Sequence, residues 1–99
     1  MSTKNNPGAF DCYARAEPDE PMFVLLGRDP AASMVVGLWV RIRQEMGETS
    51  GEKLDEAEDC SAALQRWAHE HGKSQAVDAA REATIRVIHR LLKEAVEGL

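Results

Sequence analysis

The residues best suited to bind a metal ion are one cysteine and two histidines in the second half of the chain. Cys60, His69 and His71 lie within a twelve-residue stretch. Positions two apart on a helix point about 200° away from each other, so both imidazoles cannot reach one ion without unwinding the helix. Cys12 is remote in sequence, and no paired Cys/His spacing accompanies it. We therefore expect no metal site and no cofactor.

Nucleophilic catalysis has equally little support in the residue pattern. The chain holds no Gly-x-Ser-x-Gly elbow, no His-Glu-x-x-His box and no glycine-rich phosphate loop. A Cys–His pair could form in space, but none of the three histidines has supporting spacing. We expect a protein without catalytic residues that is not an enzyme.

Three N-terminal side chains could bind an anion such as a nucleotide. Tyr13 offers a stacking ring, and Arg15 and Arg28 offer two guanidinium groups that can grip phosphate. The helix start next to Arg28 is not itself an anion site, because Asp29 would occupy its free amides. The alternative is that Arg28 pairs with Glu20 or Asp19 while Tyr13 packs against apolar residues.

The negative charge of the chain is concentrated in one segment, residues 45–59. Its net charge is −6, against −5 for the whole chain, and we expect it to repel nucleic acid and attract basic protein surfaces. A solvated helix face without a partner is the simpler interpretation of such a run. The candidate partner-binding residues within it are Glu52, Asp55, Glu56 and Asp59.

Length and composition favour a single small globular domain. The chain has 99 residues, of which 43% are hydrophobic and 29% charged. Residues 1–9 are predicted to be a flexible N-terminus without a signal peptide, and residues 10–99 one helical domain. No apolar run is long enough to cross a membrane. Two cysteines far apart in sequence favour unpaired thiols and a reducing, cytoplasmic compartment.

Residues 10–27 are the ambiguous part of the chain. Alternation from Phe10 to Ala16 is typical of a strand, and the apolar run Met22–Leu26 could be its hairpin partner. That run could instead be a short helix that begins near Asp19 and ends at Gly27. We favour extended structure here, and we expect the run to be buried in a core or an interface.

The rest of the chain predicts three helices joined by short turns, a mainly α three-helix bundle. The first opens at Asp29-Pro30 and ends at Gly47. The second opens with a capping box from Thr49 to Glu52 and ends at Gly72. The third is capped by Ser74 and carries wide apolar stripes toward its end. Trp39 and Trp67 fall on apolar faces and are predicted core residues. So much apolar helix surface on so short a chain favours a homo-oligomer, most simply a dimer.

Several of these residues together resemble a set of small uncharacterised phage and prophage proteins. The likeness covers roughly residues 10–70, and the third helix adds nothing to it. Its motifs are Phe10-Asp11-Cys12-Tyr13-Ala14, the run from Pro18 to Pro30, Trp39, and the later pair Cys60 and Trp67. The resemblance implies a phage accessory protein that acts in the cytoplasm of the bacterial host. Proteins of that kind are frequently counter-defence factors, either CRISPR inhibitors or oligomeric sponges that sequester nucleotide immune signals.

The sequence thus leads to one main hypothesis and two alternatives. The main one is a self-associating, anti-CRISPR-type protein that blocks a host defence protein through Glu52, Asp55, Glu56 and Asp59. The first alternative is a sponge that holds a nucleotide signal with Tyr13, Arg15 and Arg28 at a subunit junction. The second is a structural phage protein whose whole function is assembly.

Overall fold

The computed structural model describes residues 2–49 and 51–99. Met1 of the predicted flexible N-terminus and Ser50 of the predicted capping box lie outside them. The helices are α1 (Cys12–Arg15), α2 (Ala32–Glu45), α3 (Glu52–Glu70) and α4 (Ser74–Glu97). The mainly α prediction is confirmed, and the three long helices lie where the apolar periodicity places them. No helix in the described ranges is long and apolar enough to span a membrane.

The predicted hairpin over residues 10–27 does not form. Cys12–Arg15 is a single helical turn, and the Asp11 carboxylate accepts hydrogen bonds from the amides of Tyr13 (3.1 Å) and Ala14 (3.4 Å). An aspartate at an N-cap favours a local turn over a strand, because its side chain satisfies nearby backbone donors. The strand interpretation of the alternation is therefore wrong for these residues.

The apolar run Met22–Leu26 is neither strand nor helix. It leads into a turn in which the Asp29 amide donates to the Leu26 carbonyl at 3.0 Å. Within one subunit the run is not part of the core, since Phe23 is 85% exposed and Val24 67% exposed. Burial of this run in an interface between molecules stays a prediction.

The C-terminal ends of α2 and α3 agree with the sequence prediction better than the N-terminal starts of the helices do. After α2 and after α3 the chain turns at Gly47 and Gly72, whose φ angles are +101° and +73°. At the second turn the Lys73 amide donates to the Ala68 carbonyl, and the Gly72 amide donates to the His69 carbonyl. This bond pair is the Schellman ending that a glycine after a helix predicts.

Two predicted N-caps are wrong, and one is displaced. Gly51, not Thr49, precedes α3, and no side chain of the residues that the structure describes bonds the free amides there. Ser74 is the first residue of α4, and its hydroxyl bonds His69 Nδ1 instead of the helix amides. Asp29 lies before α2, which begins at Ala32, but its carboxylate still accepts from the Ala31 amide at 2.9 Å.

The buried core is thin and made mostly of small side chains. α2 packs mainly along α3, where the Ser61 hydroxyl donates to the Ser33 carbonyl at 2.9 Å, whereas α4 touches both helices over a small area. Trp39 is half-buried and Trp67 is 40% exposed, so their prediction as core residues is wrong within one subunit. The buried apolar residues among those described are Ala32, Val40, Leu54, Ala68 and Val77.

The subunit is extended for its size. Its radius of gyration is 15.3 Å, whereas a compact chain of this length has about 13 Å. Its accessible surface is 7976 Å², about 2,400 Å² more than the roughly 5,600 Å² expected for a compact monomer of this mass. Much of the surface that a compact fold would bury is therefore accessible to solvent.

Candidate binding surfaces

The four predicted acidic residues form one face of α3. At about 100° per residue, Glu52, Asp55, Glu56 and Asp59 fall within an arc of about 100°. The buried side chains of the same helix, Leu54 and Ala68, lie on the opposite side. The packing of α3 on α2 therefore turns this acidic face outward, as the apolar periodicity of the segment requires.

Three of these carboxylates are exposed: Glu52, Asp55 and Asp59. Among residues 2–49 and 51–99, no hydrogen bond or ion pair engages their side chains. Glu56 is half-buried and takes part in other interactions. Glu52 and Asp55 also lie in the first turn of α3, where negative charge favours the helix by about 0.3–1 kcal/mol each. The exposed carboxylates therefore have a structural use and remain open to a basic partner.

The other carboxylates of residues 45–59 are arranged differently. Glu48 follows the Gly47 turn, and its Oε2 accepts from Arg43 Nε at 2.6 Å, so its charge is compensated. Glu58 points about 100° away from Asp59 and lines a shallow groove with Arg41. Glu52, Asp55 and Asp59 thus form an exposed group of carboxylates on one side of α3.

A cation–aromatic cluster beside this region was missed by the sequence analysis. The charged ends of Arg43 and Lys53 each lie 5.8 Å from the ring of Trp39. The spacing of Trp39 and Arg43, one helical turn apart, is a signal that could have predicted the first contact. The second contact depends on the packing of α3 against α2, which no local pattern reveals.

The three residues of the predicted anion site are not joined by contacts within the subunit. Tyr13 is 83% exposed. Arg15 donates to the Ala9 carbonyl at 3.0 Å, and its guanidinium carbon lies 5.3 Å from the Phe10 ring centre. Arg28 is exposed in the turn before α2, without a hydrogen bond or ion pair to the described residues. A shared ligand site for these three stays a prediction that requires a subunit junction.

The histidines considered as metal ligands have separate partners. His69 bonds the Ser74 hydroxyl and so joins the end of α3 to the start of α4. His71 Nδ1 bonds the Trp67 carbonyl at 2.7 Å, and its ring stacks on the indole with centroids 3.7 Å apart. Over the stretches that the structure describes, no cluster of three His, Cys, Asp or Glu side chains could hold a metal ion.

A groove of about 590 Å³ lies between α3 and α4. Its charges are mixed: Arg66 and Glu70 lie on one wall, and Asp78 and Arg81 on the other. Asp78 and Arg81 pair with each other at 3.4 Å. The groove therefore presents no surplus of either charge to a ligand.

Two long helices carry exposed apolar stripes. On α2 the stripe is formed by Val35, Leu38, Ile42 and Met46, which are 39% to 71% exposed. These residues recur at three- and four-residue spacing on the side of α2 away from buried Val40. The second stripe lies on the C-terminal half of α4. Such faces mark sites of association in soluble proteins.

The chain matches no known family model, no curated protein and no solved structure.

Proposed function

We propose that this chain is a non-enzymatic binding protein that blocks a bacterial defence protein. In this proposal the acidic face of α3 binds a basic surface of the target. The observation that supports this proposal is the outward position of that face, with Glu52, Asp55 and Asp59 exposed and not paired within the described residues. The resemblance to phage proteins supplies the proposed setting, the cytoplasm of a bacterial host.

The physical basis of blocking is electrostatic complementarity. Uncompensated charges of one sign on a rigid helix accelerate encounter with a surface of the opposite sign and fix the orientation of the complex. Basic surfaces are what nucleic-acid-handling defence proteins must offer to their own substrates. A helix with regularly spaced carboxylates competes with nucleic acid for such a surface. This competition requires no chemical step.

The finer architecture belongs to the same proposal. α2, α3 and α4 form a three-helix bundle that is completed by self-association, since a single subunit leaves α4 poorly covered. Self-association presents the acidic face twice, and two-point attachment raises the apparent affinity for a target with repeated basic sites.

The test begins with the tagged chain expressed in a bacterial host and mass spectrometry of the proteins that co-purify. Binding of the partner found is then measured against salt, for the unmodified chain and for a variant with Glu52→Lys, Asp55→Lys and Asp59→Lys. The matched control carries Glu17→Lys, Asp19→Lys and Glu82→Lys, the same charge change on exposed residues outside the acidic face and outside residues 85–99.

We expect at least a hundredfold loss of affinity in the α3 variant, near-normal affinity in the control variant and weaker binding at high salt. Circular dichroism checks that both variants keep their helices. Equal affinity of the folded α3 variant and the unmodified chain would eliminate the acidic face as the binding surface.

A second candidate function is sequestration of a nucleotide signal by Tyr13, Arg15 and Arg28. It is favoured by the 83% exposure of the Tyr13 side chain, which leaves its ring available for stacking. Thermal-shift assays with cyclic and linear nucleotides should show a melting temperature that rises with ligand concentration. The rise should disappear in Arg28→Ala, and no shift for any nucleotide of the panel would count against this function.

A further inference from the structure

The last part of α4 extends beyond the core of its own subunit. The helix has 24 residues and is about 36 Å long. Val77 is its one buried residue among those described, and Ile88 is the last that is even half-buried. Residues 89–99 are all exposed. A helix rarely continues for three turns without packing, because tertiary contacts supply most helical stability.

This exposed part is strongly amphipathic. Ile85, Ile88, Leu92 and Val96 fall within an arc of about 80° on α4, and Leu99 follows two residues after the helix ends, at the spacing that would continue the same line. We call these five residues the α4 stripe. Ile85 and Leu92 are 52% and 59% exposed, and Val96 is 67% exposed. The charged residues of the same stretch lie outside this arc: Arg86, Arg90, Lys93, Glu94 and Glu97.

The spacing of the α4 stripe is symmetric about Leu92. Successive members are three, four, four and three residues apart, so Ile88 and Val96 lie four residues either side of Leu92, and Ile85 and Leu99 lie seven. A stripe with this symmetry is complementary to a second copy running in the opposite direction. Spacings of three and four residues are also typical of helices that pack against each other at a shallow angle.

The charges of residues 85–99 and the accessible surface of the subunit are both consistent with a second copy of the chain packed on the α4 stripe. Residues 85–99 carry three basic and two acidic side chains, so two copies meet without the repulsion that the acidic α3 face would cause. The subunit exposes about 2,400 Å² more surface than a compact monomer of its mass, whereas a standard interface buries about 800 Å² per partner. This excess is spread over the whole subunit, including its N-terminal region, and is larger than the area that one stable interface buries.

We infer that two copies of this chain pair through antiparallel α4 helices, with Leu92 of one copy packed against Leu92 of the other. Ile85 of each copy then meets Leu99 of its partner. The inference gives a specific surface to the self-association in the proposed function and does not depend on the acidic face. An experiment that disproves the α4 pairing would therefore leave partner binding through the acidic face untouched, and the reverse also holds.

The first test compares Leu92→Glu with Val87→Glu by sedimentation velocity. Val87 is 47% exposed on the same helix but lies about 140° from Leu92, so it is a matched control. We expect Leu92→Glu to weaken dimerisation at least a hundredfold and Val87→Glu to leave it unchanged. A Leu92→Glu protein that remains a dimer overturns the inference. So does a dimer lost in Ile42→Glu and retained in Leu92→Glu, which would place the interface on α2.

Cysteine cross-linking tests the antiparallel geometry of the α4 pair. It gives a result even if a charged variant fails to fold. In a Cys12→Ser background, Leu92→Cys should form a disulfide-linked dimer under mild oxidation. A mixture of Ile85→Cys and Leu99→Cys chains should form mixed dimers in preference to dimers of either alone. The background without an added cysteine is the control. No cross-link at position 92 overturns the α4–α4 contact, and dimers formed equally by each variant alone overturn the antiparallel direction.

Discussion

The backbone of Gly27 lies directly against the indole of Trp67. A Cβ atom added at position 27 would stand 3.2 Å from Cδ2 and Cε3 of that ring. Because Gly27 follows the exposed run Met22–Leu26, this contact fastens the N-terminal region to the end of α3. Trp67 in turn stacks on His71 next to the Gly72 turn.

This contact predicts opposite effects for alanine at two glycines. Gly27→Ala should lower the free energy of unfolding by about 1 kcal/mol, since crowding of the indole outweighs the gain in chain stiffness. Gly37→Ala should raise it by about 0.5–1 kcal/mol, because Gly37 lies inside α2 and a Cβ there meets Ser61 Oγ at an ordinary 3.6 Å. Urea denaturation followed by circular dichroism measures both. Two shifts of the same sign would contradict the packing described at Gly27.

The Ser61–Ser33 hydrogen bond predicts a measurable loss on removal of one hydroxyl. Ser61→Ala should lower the free energy of unfolding by about 1 kcal/mol, because the buried Ser33 carbonyl loses a donor from α3. In thermal denaturation this corresponds to about 4–8 °C for a domain of this size. Thr84→Ala is a useful comparison, because the Thr84 hydroxyl bonds the Ala80 carbonyl within its own helix. A larger loss for Thr84→Ala than for Ser61→Ala would contradict the assignment of the α2–α3 contact.

The two cysteines should react at different rates. Burial, together with the nearby Glu56 carboxylate, raises the pKa of the Cys60 thiol above its ordinary value, whereas Cys12 is exposed. The thiolate is the reactive form, so iodoacetamide should modify Cys12 first, and Cys60 should react only at higher pH. Intact-mass analysis of the protein and of Cys12→Ser follows each site. Equal rates at the two sites would contradict the burial of Cys60.

The same shift has a consequence for stability at high pH. A raised pKa means that the folded state holds the Cys60 proton more tightly than the unfolded state does. Its contribution is complete below the unfolded value of about 8.5 and is lost as the pH rises through the folded value. Cys60→Ala should therefore make the decline in stability above about pH 8.5 less steep, as measured by denaturation at a series of pH values. A decline equally steep in the variant would contradict this contribution.

Local patterns determine much of this fold, and those parts were predictable. Helical periodicity places α2, α3 and α4, and Gly47 and Gly72 end two of them through positive φ angles. Local patterns also compete, and there prediction failed. The Asp11 side chain turns an alternating stretch into a helical turn, and His69 takes the Ser74 hydroxyl that was predicted to cap α4.

The candidate site divides in the same way. That Glu52, Asp55, Glu56 and Asp59 share a face follows from helical geometry alone, and the structure turns that face outward. The contact of Gly27 with Trp67 joins residues forty positions apart, so no local pattern contains it. Assembly of Tyr13, Arg15 and Arg28 would likewise require tertiary or quaternary contacts, which the sequence alone does not specify.

The proposed function and the α4 pairing both require that one subunit is incomplete and that copies of the chain associate through apolar helix surface. Sedimentation equilibrium of the unmodified protein tests it directly, at about 0.1 M and about 1 M salt. We expect a mass of about 22 kDa, twice the 10.9 kDa of one chain, at both salt concentrations, because an apolar interface is not weakened by screening. A mass of 10.9 kDa throughout, up to concentrations of hundreds of micromolar, would contradict the claim.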